Sequence, residues 1–253
     1  MYPTLFRVGT FEITSFGVLV GVAALVGLWM FGRELQRSGL PDDAINAATG
    51  GVIGGLVGAK LLWTIEFMGD HPAGELLFSR GGLSWFGGLL GGVCAGLWVL
   101  RRKRVPIVPA LAAAAPALAI GHAIGRIGCF LVGDDYGRPS DLPWAVAFPR
   151  GLPPAFAPVH PTQLYESLAL FAAAWAIFRW RKQGVDDRVV LGRYFVLAGS
   201  IRFAIEFVRV NAQILGPLTL AQLISAALVT TGLWLLRPNR RAKRMRSPGP
   251  VSG

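Results

Sequence analysis

Long apolar segments recur along almost the whole chain, and they restrict the possible folds more than any other feature of the sequence. Several of these runs approach the roughly 20 residues that a helix needs to cross the hydrocarbon core of a bilayer. Of the 253 residues, 53% are hydrophobic and only 15% are charged, whereas about a quarter are charged in soluble domains. Because a helix satisfies its own backbone polar groups, the sequence predicts an all-α, polytopic membrane protein.

Seven segments are predicted to span the membrane. Their approximate bounds are 14–31, 44–67, 83–100, 106–124, 162–180, 191–208 and 218–236. In the fourth segment, Pro109 and Pro116 predict a break or a kink, since proline lacks the N–H group that a continuous helix uses. In the second segment, Gly50, Gly54 and Gly58 share one helix face, which favours close packing against another helix.

The segment 125–161 interrupts this pattern with many prolines, glycines, aspartates and aromatic residues. It is too long for an ordinary connection between helices, and we predict that it forms a small irregular cap over a site. A single integral-membrane domain is predicted for residues 1–246, with the cap inserted in it. Residues 247–253, which are rich in Ser, Gly and Pro, are predicted to form a disordered tail.

The basic residues lie in clusters beside the apolar segments, and this pattern predicts the orientation. With seven spans and an outer N-terminus, most of the 25 lysines and arginines fall on the inner side, as the positive-inside rule requires. The C-terminus is therefore predicted to be cytoplasmic, and the cap is predicted to face the exterior. The same distribution argues against nucleic-acid binding, despite the formal net charge of +11.

The sequence does not indicate a metal site or a disulfide framework. The two cysteines, Cys94 and Cys129, lie in apolar surroundings, and the three histidines His71, His122 and His160 are far apart in the chain. Neither set has the spacing of a zinc site or of a disulfide scaffold. We therefore expect no metal and no cofactor.

An arginine lies between glycines at the end of the fourth apolar segment, in the sequence Gly125-Arg126-Ile127-Gly128. A charged side chain costs at least ~2.5 kcal/mol near the bilayer centre and is by default a functional candidate. Gly125, Gly128 and the later Gly133 allow a ligand or another backbone to come close. The planar guanidinium suits a phosphate group, so a site for an anionic headgroup is predicted here.

Three further charged residues share one face of the sixth apolar segment, because Arg202, Glu206 and Arg209 are separated by four and three residues. Inside an apolar helix they must face the bundle interior or a wet cavity. One interpretation is a buried network that only holds helices together. We favour the other, in which Glu206 orients one arginine while others, together with Arg126, converge on an anionic lipid headgroup.

The fifth apolar segment begins with a polar sequence, His160-Pro161-Thr162-Gln163-Leu164-Tyr165-Glu166. Thr162 is the predicted N-cap, and Glu166 lies near the positive end of the helix dipole. Capping accounts for these two residues without any further function, and Tyr165 alone suits a membrane interface. Capping does not account for the whole group, so we expect four residues to shape the site: His160, Gln163, Tyr165 and Glu166.

Together, these three groups resemble the bacterial phosphatidylglycerol–prolipoprotein diacylglyceryl transferases. The glycine-rich stretch from Gly81 to Gly91 is also similar to this family, and the resemblance covers nearly the whole chain. It implies transfer of a diacylglyceryl group from phosphatidylglycerol to the thiol of a lipobox cysteine in a prolipoprotein signal peptide, with release of glycerol phosphate. It also implies a location in the bacterial plasma (inner) membrane.

The resemblance gives the predicted side chains chemical roles. Arg126, Arg202 and Arg209 would hold the phosphate and stabilise the charge that develops on the leaving group. The attacking thiol has a free pKa of about 8.5, so a base or a positive field helps to form the thiolate. Because the acceptor cysteine belongs to the substrate, Cys94 and Cys129 need not take part.

The chain departs from the family pattern at several polar positions. The family has His where this chain has Phe86, Asn at Cys129 and Val132, and Glu at Asp134; it has Tyr at Phe16 and often Tyr at Ala198. Phe86 cannot act as a base. Our hypothesis is that His122, one turn before Arg126, or Asp134 supplies the lost polar function; the alternative for His122 is an ordinary helix-end histidine.

These departures leave two alternatives to the transferase. One is a divergent paralogue that binds an anionic phospholipid but uses a different acceptor. The other is a non-catalytic membrane protein that binds lipid.

Overall fold

The computed structural model describes residues 4–9, 11–69, 72–79, 84–211 and 213–238. The predicted tail at 247–253, His71 and the glycines at 81 and 82 lie outside these residues. The described chain is mainly helical: α1 Ser15–Arg37, α2 Ile45–Phe67, α3 Ala73–Phe78, α4 Trp85–Arg102, α5 Ile107–Val132, α6 Thr162–Lys182, α7 Asp187–Glu206 and α8 Leu220–Leu236. The predicted all-α class is confirmed.

Three short antiparallel hairpins accompany the helices in the described parts of the chain. They are formed by β1 Thr4–Val8 with β2 Phe11–Thr14, by β3 Val146–Phe148 with β4 Ala155–Val159, and by β5 Gln213–Leu215 with β6 Leu218–Thr219. The first precedes α1, the second lies between α5 and α6, and the third connects α7 to α8. All three therefore follow or precede helix ends on the side of the bundle that was predicted to face outward.

Among the residues that the structure describes, seven long helices overlap the seven predicted segments. Three helical stretches of the described chain, Ser15–Arg37, Asp42–Phe67 and Ile107–Val132, are long and apolar enough by themselves to cross a membrane. The helices α6 and α7 are less apolar because they carry the ionisable residues discussed below. The chain is thus a membrane protein, and the number of seven crossings stays a prediction.

The fourth predicted segment forms one continuous helix, α5, instead of a broken one. Pro109 lies in its first turn, where a missing N–H group costs no helical hydrogen bond, and Pro116 is accommodated inside the helix. The helix also continues through 125–132, so the irregular cap begins at 133 and not at 125. It ends at Gly133, whose φ of 79° is the left-handed conformation that glycine adopts most readily.

The glycine face of α2 packs directly against α4, as predicted. A Cβ atom added at Gly58 would lie 2.9 Å from the Cα atom of Gly91, and one added at Gly50 would lie 2.8 Å from a methyl group of Val99. Glycine thus allows the two backbones to approach more closely than any side chain would permit.

The opposite end of the bundle is held by apolar clusters and a buried ion-pair network. Phe31 and Leu35 of α1 pack there with Leu100 of α4 and with the start of α5. Glu34, almost completely buried, lies 2.9 Å from Arg181 Nε at the end of α6, and Arg181 also pairs with Asp187 at the start of α7. These contacts hold α1, α6 and α7 together, and the other ends of α6 and α7 take part in the candidate site.

Candidate functional site

The site lies where the C-terminal end of α5, the N-terminal end of α6 and the C-terminal end of α7 meet beneath the cap. These helices run antiparallel in succession, so the ends that carry Arg126, Glu166 and Arg202 come to the same side of the bundle. The predicted convergence of the arginines is observed.

Arg126 on α5 bridges two acidic groups. Its Nε atom lies 2.8 Å from Glu166 Oε2, and its Nη1 atom lies 2.7 Å from Asp135 Oδ2. Only 11% of the Arg126 side chain is exposed. A guanidinium so deeply placed must be paired, because an unpaired buried charge is very costly.

Glu206, the last residue of α7, joins Arg202 on the same helix to Arg209, which lies three residues beyond the helix end and so does not share the predicted helix face. Glu206 Oε2 lies 2.8 Å from Arg202 Nη2 and 3.7 Å from Arg209 Nε. Its other oxygen accepts a hydrogen bond of 2.5 Å from Asn211 Nδ2. Glu206 thus contacts both arginines, whereas the sequence analysis expected it to orient one of them, and Asn211 is an additional contact that the sequence did not suggest.

Glu166 is the buried centre of the cluster. Its side chain is 1% exposed, and Glu166 Oε2 faces both Arg126 and, at 3.6 Å, Arg202 Nη1. Glu166 Oε1 lies 3.5 Å from His122 Nε2. Glu166 therefore connects α6 to α5 and α7, a role that the helix-dipole interpretation did not predict.

Asp135 is a site residue that the sequence analysis missed. Its Oδ1 atom lies 2.6 Å from Arg209 Nη2, while its Oδ2 atom contacts Arg126, so one carboxylate bridges two arginines. Burial would raise the pKa of Asp135, but hydrogen bonds and charge from Arg209 and Arg126 lower it to about 2. The available signal was a second carboxylate directly after Gly133 and Asp134, within reach of the preceding helix.

The first residues of α6 bind the backbone of the turn that contains Asp134 and Asp135. The hydroxyl of Thr162 donates a hydrogen bond of 2.8 Å to the Asp135 carbonyl oxygen, and Gln163 Nε2 donates one of 2.5 Å to the Asp134 carbonyl oxygen. The prediction that Thr162 is the N-cap is wrong, because α6 begins at Thr162 and the N-cap is Pro161. The hydroxyl is used to bind the cap instead.

His160, near the end of the cap, lies beside Tyr165 of α6. The Tyr165 hydroxyl accepts a hydrogen bond of 2.7 Å from Trp144 Nε1 and lies 3.4 Å from His160 Nδ1. Trp144 comes from the irregular segment, about 20 residues upstream, so no local pattern indicated this contact. The predicted shaping role of these residues corresponds here to anchoring the cap on α6.

The three predicted glycines have different surroundings. A Cβ atom at Gly128 would lie 3.1 Å from Phe16 Cδ2 on α1, so this glycine serves helix packing, whereas Gly133 ends α5. A Cβ atom at Gly125 would meet no atom within 4 Å. Of the three, Gly125 leaves open space beside Arg126.

The two candidates for the lost polar function lie close to the cluster. His122 is one turn before Arg126, and half of its side chain, 49%, is exposed. Asp134 is partly buried, and burial raises the pKa of its carboxyl. Phe86, in contrast, lies in the first turn of α4 with a relative exposure of 36%, and α4 packs mainly on α2.

One set of potential metal ligands occurs among the described residues. Ligand atoms of Cys129, Asp134 and Asp135 lie within 4.8 Å of one another. Both oxygens of Asp135 already contact arginines, and these positive charges disfavour a cation beside them. The donor set therefore fits an ion-pair network better than a metal centre.

A cavity of about 520 Å³ opens on the cap side of the cluster. Asp135 and Arg209 lie on its wall, and the remainder is mostly apolar, with Leu152, Phe156 and Val210 strongly exposed. The charged cluster is therefore next to an exposed apolar surface.

Comparisons of this chain with a family model and with known proteins all indicate the same family. A family model described as prolipoprotein diacylglyceryl transferase matches residues 3–237. Proteins named phosphatidylglycerol–prolipoprotein diacylglyceryl transferase are similar over nearly the full chain. The one from Geobacter sulfurreducens is 32% identical over 91% of this chain and 92% of its own. The one from Nitratidesulfovibrio vulgaris (strain Miyazaki F) is 34% identical over 95% and 94%, and one from Pseudomonas putida (strain KT2440) is 32% identical over 92% of both chains.

Proposed function

This chain belongs to the prolipoprotein diacylglyceryl transferase family, and we propose that it transfers the diacylglyceryl group of phosphatidylglycerol to the lipobox cysteine thiol of a prolipoprotein signal peptide. The observation that carries the proposal is the convergence of Arg126, Arg202 and Arg209 under the cap of a membrane protein of this family. Clustered guanidinium groups suit a phosphate, which they can bind with paired hydrogen bonds.

The reaction exchanges one bond for another at the glyceryl carbon that carries the phosphate. The cysteine sulfur, as thiolate, forms the new S–C bond while the C–O bond to the phosphate breaks, and the electron pair of that bond goes to the departing glycerol phosphate. Arginines near this oxygen stabilise the negative charge that it gains. Their preorganisation by Glu166 and Glu206 lets them do so without reorienting.

The thiol proton needs an acceptor. We assign this role to His122 or Asp134, since Phe86 occupies the position at which the family pattern has a histidine. His122 Nε2 faces Glu166, which leaves the other ring nitrogen available for a substrate. Glu166 would then hold both an arginine and the histidine in place, and His160, Gln163 and Tyr165 would hold the cap above them.

We also propose that the chain is a multi-pass protein of the bacterial inner membrane with its N-terminus outside and its C-terminus in the cytoplasm. This orientation puts the site on the outer side, where secreted precursors emerge. The distribution of lysine and arginine along the chain supports it. Residues 1–246 would form one domain, of which 133–161 are the cap.

The test is transfer by the wild-type chain and by an Arg126→Ala variant. Cells depleted of their own enzyme would express either form with a tagged precursor, and the lipid-dependent mass gain of the precursor would be measured. We expect wild-type activity and a loss of at least about 100-fold for Arg126→Ala, the size typical of removing one donor to a developing charge.

Arg150→Ala is the matched control, because Arg150 is an exposed arginine of the cap. Its activity should stay within about twofold of wild type, as for surface positions in general. If the wild-type protein is expressed and inserted but modifies no precursor, the transferase proposal fails.

A further inference from the structure

The Asp135 carboxylate occupies the position that a phosphate would take between two arginines. Its two oxygens face Arg126 Nη1 at 2.7 Å and Arg209 Nη2 at 2.6 Å. Each guanidinium group thus contacts one oxygen of the Asp135 carboxylate. The same two guanidinium groups could contact two oxygens of a phosphate in the same way. The subsite is therefore already filled by a side chain of the protein.

Of the carboxylates that pair with the three arginines, Asp135 is the one that can leave. Its side chain is 43% exposed, whereas those of Glu166 and Glu206 are 1% and 0% exposed. A buried carboxylate that lost its arginine would remain in an apolar environment at high cost. Asp135 can exchange its arginines for water, and it borders the cavity beneath the cap.

The backbone of Asp135 has hydrogen bonds of its own, one of which comes from Thr162 and not from an arginine of the cluster. Its carbonyl oxygen accepts hydrogen bonds of 2.8 Å from Thr162 Oγ1 and 2.9 Å from Arg209 Nη1. Its φ angle of 59° lies in the left-handed region, which aspartate and asparagine tolerate better than most residues. The side chain can thus rotate away while the turn that carries it stays in place.

We propose that Asp135 is a built-in competitor for the phosphate: its carboxylate fills the subsite between Arg126 and Arg209 in the empty enzyme, leaves when a phosphate ester enters, and returns as glycerol phosphate departs. This inference rests on the proposed function for the identity of the ester. Asp135 would act as a positioning residue, since it preorganises both arginines and limits how tightly the product is held.

The charges of the cluster fit this exchange. Arg126, Arg202 and Arg209 face the three carboxylates of Asp135, Glu166 and Glu206, so the charges of these six paired groups balance. Rotation of one carboxylate into water leaves an excess positive charge, which matches the single charge of a phosphodiester such as phosphatidylglycerol. A monoester product, with up to two charges, would otherwise be retained, and the returning carboxylate opposes this.

The experiment measures phosphate-ester binding to the purified full chain in nanodiscs. Asp135→Asn preserves the backbone conformation and the side-chain shape while it removes the charge, and Asp135→Gly removes the whole side chain at a positive φ. Asp141→Asn, at an exposed position of the same cap, is the matched control. The probes are sn-glycerol 1-phosphate, inorganic phosphate, and phosphatidylglycerol in otherwise zwitterionic nanodiscs.

We expect both Asp135 variants to bind sn-glycerol 1-phosphate at least about tenfold more tightly than wild type, a change that ~1.4 kcal/mol produces. Asp141→Asn should not differ from wild type. In the transfer assay, the Asp135 variants should show a lower KM for phosphatidylglycerol and stronger product inhibition, a combination that a general loss of structure does not produce. Tighter binding of inorganic phosphate alone would assign the subsite to free phosphate and overturn its assignment to the ester.

The proposal is overturned if both variants bind the ester no more tightly than wild type, whether or not their thermal stability falls. Asp135 would then have only a structural role, as the ion-pair partner of Arg126 and Arg209. The outcome is independent of the transferase proposal. If wild type transfers lipid but Asp135→Asn does not bind the ester more tightly, only this inference fails. If wild type does not transfer lipid, the proposed function fails, and tighter binding by the variants would still establish the phosphate subsite.

Discussion

Replacing Glu166 by glutamine is expected to lower the stability of the protein substantially. Glu166 is 1% exposed and faces Arg126 at 2.8 Å, Arg202 at 3.6 Å and His122 at 3.5 Å. Glutamine keeps the shape of the side chain but removes the negative charge, so these groups lose their common counter-ion. The change therefore tests whether the cluster joins α5, α6 and α7.

The magnitude follows from the remaining partners. Removing one member of a buried ion pair costs about 3–5 kcal/mol because the other charge is left uncompensated. Arg126 keeps Asp135 and Arg202 keeps Glu206, so we expect the lower end of that range, about 3 kcal/mol. For a chain of this length, such a loss lowers Tm by roughly 6–12 °C.

Glu12→Gln provides the matched control. Glu12 pairs with Arg7 on the β1–β2 hairpin, where the two side chains are 45% and 69% exposed. Pairs of this kind contribute up to about 1 kcal/mol, so Tm should change by less than about 4 °C.

The assay is thermal unfolding of both purified variants in the same detergent, followed by intrinsic fluorescence. A Glu166→Gln variant whose Tm stayed within about 2 °C of wild type would refute the reasoning, since it would mean that the buried charge is not needed to hold the three helices.

Two further predictions concern packing and proton transfer. Gly58→Ala should destabilise the protein by about 1–3 kcal/mol through the clash with α4. Gly21→Ala on α1, where a Cβ would meet no atom within 4 Å, should be neutral or stabilising by up to about 1 kcal/mol, because alanine is the better helix former. Equal Tm values for the two variants would contradict this explanation. His122→Ala or Asp134→Ala should lower kcat about 100-fold or more with little change in KM, if that residue accepts the thiol proton. Full activity in both variants would end this hypothesis.

The fold class and the helices were accessible from the sequence because they depend on local properties. The length of each apolar run and the cost of unpaired backbone groups in lipid determine that α1, α2 and the others form and approximately where they end. The spacing of Arg202 and Glu206 on α7 determines that they share a face, whereas Arg209 follows the end of that helix. The cost of isolated charges in lipid then indicates that these residues and Arg126 turn inward.

Sequence patterns failed where the outcome depended on a neighbour. Helix periodicity does not show that the hydroxyl of Thr162, the first residue of α6, donates a hydrogen bond to the Asp135 carbonyl oxygen instead of capping α6. Nor does it show that position 128 must be a glycine to leave room for the Phe16 ring, because that contact depends on the distance between α1 and α5. The end of α5 was placed too early because residues 125–161 were assigned to one irregular segment by their composition, whereas α5 continues to Val132.

The sequence by itself thus determined the membrane-type helices and the arginines that turn into the bundle, since apolar length, periodicity and the cost of a charge act along one segment. Only the tertiary structure decided which carboxylates these arginines meet. Glu166 became a buried counter-ion through the packing of three helices, and Asp135 reached Arg126 and Arg209 through the turn after Gly133. Pairing between charges depends on distances of a few ångströms between remote segments, which no local pattern encodes.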